Sequence, residues 1–89
     1  MSSRDAIPPR ALPRGEIERR VAEAVVEIGG KPAPSVDEQL SDHGFDSLAL
    51  LELLALLEQR FRIELTEDVV SEFKTISRIS RVVRDAEPR

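Results

Sequence analysis

Ser47 is the side chain best placed to do chemistry, and its setting is the run Asp42-His43-Gly44-Phe45-Asp46-Ser47-Leu48. As a nucleophile it would need His43 as its base and Asp42 or Asp46 to orient that base. All of these fall within six positions of one turn, with no oxyanion site or substrate pocket legible beside them. A lone loop histidine is far more often a surface or packing residue, so hydrolysis is the weaker reading. An attachment point needs less: an exposed hydroxyl in a setting that tolerates an anion. Gly44 permits a backbone turn that a side chain would resist. Phe45 can anchor that turn against a core, and Asp46 or Ser47 is a good N-cap for a following helix. The start of a helix carries unpaired N–H groups and the positive end of its dipole, which favours a phosphate joined to Ser47. The plain alternative is that Ser47 only caps the helix.

That helix should run from Asp46 or Ser47 to about Phe61, and it holds more leucines than one buried face needs. At about 100° per residue, Leu53, Leu54, Leu57 and Phe61 fall within about 60° of Leu50 and make an ordinary core face. Leu48, Leu51 and Ala55 lie about 100–160° away from Leu50 and form a second apolar stripe. Glu52, Glu58 and Gln59 flank it. A thin domain rarely buries both sides of a helix. Either the preceding connection covers the second stripe, or the stripe is offered to a partner as an apolar patch with an acidic edge. Such an edge orients and speeds encounter with a basic surface more than it adds affinity.

The elements that must hold this helix are readable on either side. Residues 1–14 carry Pro8, Pro9, Pro13 and three arginines without hydrophobic period. They are expected to be a flexible tail, with a docking arm as the alternative. From Gly15, Ile17, Val21, Val25 and Ile28, with Ala24 beside them, trace one stripe of an amphipathic helix. Gly29-Gly30 stops it, and Pro32 and Pro34 prevent its resumption. Residues 31–46 form a long connection with Val36 and Leu40 as apolar anchors, and connections of this length are usually functional. Arg62 to Thr66 is a short link in which Arg62–Leu65 is ambiguous between strand and loop. Thr66, with Glu67 and Asp68 after it, starts a brief helix through Phe73. Thr75 caps a last helix whose inner positions are Ile76, Ile79 and Val83. The expected fold is all-α, a four-helix bundle of three main helices and one short one. Its domain covers 15–86, between the tail and a C-terminal end at 87–89.

Composition narrows the function classes. The 89 residues make one small domain. The net charge of -4 is unevenly spread, since residues 37–72 hold ten acidic residues against only Arg60 and Arg62. An acidic centre is a poor match for phosphates, so nucleic acid is not an expected partner. With no cysteine and one histidine, disulfides, thiolate metal sites and cysteine nucleophiles are excluded and no metal site is expected. Without Trp or Tyr there is no stacking platform for bases. The first fifteen residues lack the apolar core of a signal peptide. The leucine run 48–57 is too short to span a bilayer and is broken by Glu52. The chain therefore reads as a cytoplasmic monomer with no membrane association.

The stretch DHGFDSLALLELLALLEQRFRIELTEDVVSEFKTIS resembles the core of acyl carrier proteins, the four-helix domains modified by 4'-phosphopantetheine. The likeness covers about residues 15–85. It includes the glycine two residues before Asp-Ser-Leu, Glu52 one turn further on, and Leu53, Leu57 and Phe61 as the helix core. Ile63-Glu64-Leu65 then leads into the acidic short helix. The resemblance implies a carrier and not an enzyme, with no catalytic residues of its own. Ser47, with Asp46 before it, would be the attachment site for phosphopantetheine from coenzyme A, whose thiol carries an acyl or aminoacyl group as a thioester. Leu48, Leu51, Glu52, Ala55 and Glu58 would face partners, and Val69 and Val70 would line a cleft that shelters the cargo. The implied partners are a phosphopantetheinyl transferase, an acyl- or aminoacyl-loading enzyme, and synthase or transferase enzymes. Four positions depart from the common pattern: His43 for leucine, Ala49 for an acid, and Arg60 with Arg62 where the helix end is usually more acidic. They suggest dedicated partners and a discrete carrier of polyketide or related natural-product biosynthesis. The alternatives are an unmodified adaptor and a housekeeping fatty-acid or peptidyl carrier. Peptidyl carriers usually have Gly-Gly before their motif, which this chain lacks.

Overall fold

A computed structural model describes residues 8–89. Helix α1 spans Arg14–Gly29, α2 spans Ser47–Phe61 and α3 spans Ile76–Asp85. Short 3-10 helices occupy Pro9–Ala11, Leu40–His43 and Glu67–Glu72. Two-residue strands β1 (Ile63–Glu64) and β2 (Glu87–Pro88) pair antiparallel, with Ile63 opposite Pro88.

Each helix forms around one apolar stripe. On α1, Ile17, Val21, Ala24 and Val25 are buried, while Ile28 is half-buried. The helix starts at Arg14, where the Pro13 carbonyl accepts from the N–H groups of Glu16 and Ile17. It stops at Gly30, which takes a left-handed φ of 70° and donates to the Val26 carbonyl. On α2 the buried residues are Leu53, Leu54, Leu57 and Phe61, with Leu50 only half-buried because it opens onto a groove. On α3 they are Ile76, Ile79, Ser80 and Val83, and the Ser80 hydroxyl donates to the Ile76 carbonyl at 2.8 Å. Together with Leu40, Phe45, Ile63 and Phe73 these residues make one core. An ion pair between Arg60 and Glu27 bridges α2 to α1 outside it.

The connection between α1 and α2 is held differently from expectation. Leu40 is fully buried, as its role as an anchor requires. Val36 is 37% exposed; what ties that position down is its carbonyl, which accepts from Ser77 N–H in the first turn of α3. The Leu40 N–H donates to the Lys74 carbonyl at 2.8 Å. These two backbone bonds stitch the connection to the start of α3.

Both ends of the described chain join the domain. Pro9 is buried and Leu12 is half-buried against the core, so part of the expected tail packs; residues 1–7 lie outside the described residues. At the other end, β2 and the Arg89 N–H, bonded to the Arg62 carbonyl, close on the link after α2. The ambiguous Arg62–Leu65 segment thus contributes a short strand at Ile63–Glu64, an addition to the helical bundle. No helix among the described residues is long and apolar enough to cross a membrane.

Candidate functional site

The turn before Ser47 is built from backbone and one aromatic ring. Gly44 has φ of 88°, a left-handed conformation that suits glycine. Its N–H donates towards the Ser41 carbonyl, and the Phe45 N–H donates to that of Leu40. Phe45 is buried, with its ring against the end of α1, where a Cβ added to Gly29 would come within 3.1 Å of it. The chain therefore reaches α2 in one fixed direction.

Asp46 is the N-cap of α2: its carboxylate accepts from the Ala49 N–H at 2.9 Å. Ser47 is the first residue of the helix and is exposed. The helix takes its cap from Asp46, so Ser47 is not the N-cap and its hydroxyl takes no part in capping. His43 does not approach as a base. Its Nε2 lies 2.9 Å from a Glu38 carboxylate oxygen, so the nucleophile–base pair a hydrolase needs is not assembled.

The stripe beyond Ser47 is open. Leu48 is 65% exposed and Leu51 38%, and Glu52 and Ala55 are exposed beside them. The 31–46 connection does not cover this stripe. Glu58 is different: half-buried, its carboxylate accepts from the Leu65 N–H at 2.8 Å and holds the link after α2. Sequence reasoning gave Glu58 a partner-facing role and missed this one, for which a bond seven residues away leaves no periodic signal.

On the other side of Ser47 a groove of about 270 Å³ runs between α2 and the Glu67–Glu72 turn. Leu50 and Val70 provide its apolar surface with Phe73 buried beneath, and Gln39, Ser41, Ser71 and Lys74 its polar rim. Val70 lines this groove. Val69 does not share this groove; it lines a separate depression with Leu65, Val82 and Ala86. An exposed serine at the first position of α2 and an amphipathic groove beside it suit a phosphate-linked chain with amides along it. The residues present fit 4'-phosphopantetheine.

A three-helix bundle with an exposed serine at the mouth of its second helix defines a carrier-type domain. The family model for the phosphopantetheine attachment site matches residues 19–83, and the chain belongs to that family. It is 32% identical over 69 residues to an acyl carrier protein of Acidothermus cellulolyticus, covering 74% of this chain and 82% of that one. It is 29% identical over 72 residues to an acyl carrier protein of Thermobifida fusca, covering 78% and 91%. Among solved structures, the acetyl actinorhodin acyl carrier protein of Streptomyces coelicolor superposes with a TM-score of 0.60 at 28% identity, covering 84% of this chain and 90% of that one. An A1-type acyl carrier domain from module 5 of MLSA1 gives 0.68 at 23% identity, covering 90% and 87%, and shares the fold. The protein is a carrier of acyl groups on 4'-phosphopantetheine and not an enzyme.

Proposed function

We propose that Ser47 is the residue that receives 4'-phosphopantetheine, and that Leu48, Leu51, Glu52 and Ala55 form the face read by the enzymes that modify, load and unload it. The observation that carries this reading is the division at the start of α2, where Asp46 caps the helix and Ser47 stays exposed beside an uncovered leucine pair. When bound, the group supplies a thiol that holds cargo as a thioester, chemistry that this cysteine-free sequence lacks. The protein's own part is to present the serine, tolerate the phosphate charge at a helix start, and offer a contact surface. Asp46 positions the serine by fixing the first turn, and Glu58 keeps the end of α2 and the following link in register.

The partners that fit are a phosphopantetheinyl transferase, a loading enzyme for acyl or aminoacyl groups, and a synthase or transferase that accepts the cargo. The pathway we propose is polyketide biosynthesis, with the likeness to the actinorhodin carrier as its support, and the carrier is proposed to be a discrete one. A cytoplasmic monomer agrees with the acidic, cysteine-free composition.

The test is intact mass after incubation with coenzyme A and a broad-specificity phosphopantetheinyl transferase. The wild-type chain should gain the mass of one phosphopantetheine and Ser47→Ala none. Failure to gain mass with several transferases would overturn the assignment and leave an unmodified adaptor that works through Leu48 and Leu51.

A further inference from the structure

The groove beside Ser47 has one charged residue on its rim, Lys74. Its surroundings leave that charge available. Among the described residues Lys74 takes part in no ion pair, and Glu72, two residues earlier, is engaged by Arg78. The backbone beneath it is pinned twice, since the Lys74 carbonyl accepts from Leu40 N–H and the Lys74 N–H donates to the Glu72 carbonyl, both at 2.8 Å. Lys74 lies just past the acidic stretch 37–72, and it is the one cation that lines the groove.

Resting on the assignment of Ser47, we infer that Lys74 is a positioning residue for the prosthetic arm: it draws the arm's phosphodiester towards the groove and so lays the first part of the arm along Leu50 and Val70. The phosphodiester keeps its negative charge at all working pH values, so an ammonium across the groove is its natural counter-charge. The apolar surface offered by Leu50 and Val70, with Phe73 buried beneath, suits the dimethyl-substituted carbon one methylene beyond the phosphate ester. Further on, the arm presents amides, and the rim answers with groups that bond them. The Ser71 hydroxyl donates to the Asp68 carbonyl at 3.0 Å, which leaves its oxygen lone pairs to accept an amide N–H. Gln39 offers both a donor and an acceptor. At about 270 Å³ the groove lies below the roughly 300–1,000 Å³ of pockets that enclose a whole ligand, so it seats part of the arm and leaves the thiol end free to reach partners.

The experiment compares backbone amide NMR shifts of the apo and modified protein, for wild type, Lys74→Glu and Lys74→Arg, after intact mass has shown the arm on each. Modification should shift two groups of amides in wild type: those flanking Ser47, and a distant set at Val70, Ser71, Phe73 and Gln39. Lys74→Glu should lose most of the distant set and keep the flanking one, and Lys74→Arg should keep both. Raising ionic strength should shrink the distant set in wild type, as it does for an exposed ion pair. A distant set that is absent in wild type, or unchanged in Lys74→Glu, would overturn the role of Lys74 while leaving the carrier assignment standing. No added mass on any of the three would overturn the assignment itself, and this inference with it.

Discussion

At the start of α2 the Asp46 carboxylate and the Ser47 hydroxyl are adjacent, and their tasks are separate. The carboxylate accepts an N–H that the helix cannot satisfy internally, and removing such a cap typically costs about 0.5–2 kcal/mol. Asp46→Ala should therefore lower stability by about that amount in urea melts, with Asp46→Asn recovering most of it. Ser47→Ala should change stability by no more than about 0.5 kcal/mol, as exposed substitutions do, while abolishing modification. Equal losses from the two variants would show that the serine, too, is structural. Gly44 sets the approach to this pair. Its φ of 88° lies in the left-handed region, where an ordinary residue pays about 1–2 kcal/mol. Asp-Ser could be read from the sequence as a helix start, but the order of labour could not, because either residue makes a good N-cap.

At the scale of the element, α2 carries two apolar stripes with opposite fates, and substitution should separate them. Leu53 is fully buried, so Leu53→Ala should cost about 2–5 kcal/mol. Leu51→Glu should leave helical signal and melting nearly unchanged and weaken modification and transfer, since Leu51 meets solvent. A large loss of stability in Leu51→Glu would mean that this stripe is core after all. The wheel angles foretold both stripes because α2 is long and periodic. The same logic did not reveal the hydrogen bond of Glu58 to a backbone N–H beyond the end of the helix. Helix α1 offers a pH-dependent counterpart. Hydrogen bonds from Arg19 and then Arg20 hold the Glu16 carboxyl down to about 2, against an ordinary value of 4.5. A carboxyl whose folded value is depressed contributes stability that is present above the ordinary value and lost as pH falls towards the folded one. The loss should therefore run from about pH 4.5 to about pH 2 and be modest, because the network is exposed. Melting curves of Glu16→Gln should show a shallower decline across that window than wild type. Identical slopes would mean that the network contributes nothing to folding.

For the molecule as a whole, Ser47 stands between an open leucine stripe with Glu52 exposed beside it and a groove whose one charged lining residue is Lys74. The helices were legible in the sequence because their signals are local, namely stripes, caps and the Gly29-Gly30 stop. The pairing of Ile63–Glu64 with Glu87–Pro88 was not, because two-residue strands have no measurable period and their partners lie over twenty positions apart. Nor was the packing of Pro9 and Leu12, which looks like tail until a core exists to receive it. The long connection shows the same limit most clearly. Val36 and Leu40 look alike as isolated apolar residues in a polar run, but only Leu40 enters the core; at Val36 the contribution is made by the carbonyl that any residue carries. Leu40→Ala should therefore cost about 2–5 kcal/mol, as a truncation in a packed site does. Val36→Ala keeps the carbonyl and should stay within about 0.5 kcal/mol. Val36→Pro also keeps the carbonyl but fixes φ near -65°, so its effect tests whether the backbone bond to Ser77 survives a stiffened chain. Urea melts of the three, read with amide exchange at Ser77, decide the matter. If Val36→Ala is as costly as Leu40→Ala, the side chain at 36 is an anchor and the connection is held by packing at both points. If only Leu40→Ala is costly and Ser77 exchange is unchanged in Val36→Ala, backbone bonding holds the connection at Val36 and a packed side chain holds it at Leu40, beside the groove that Ser47 shares.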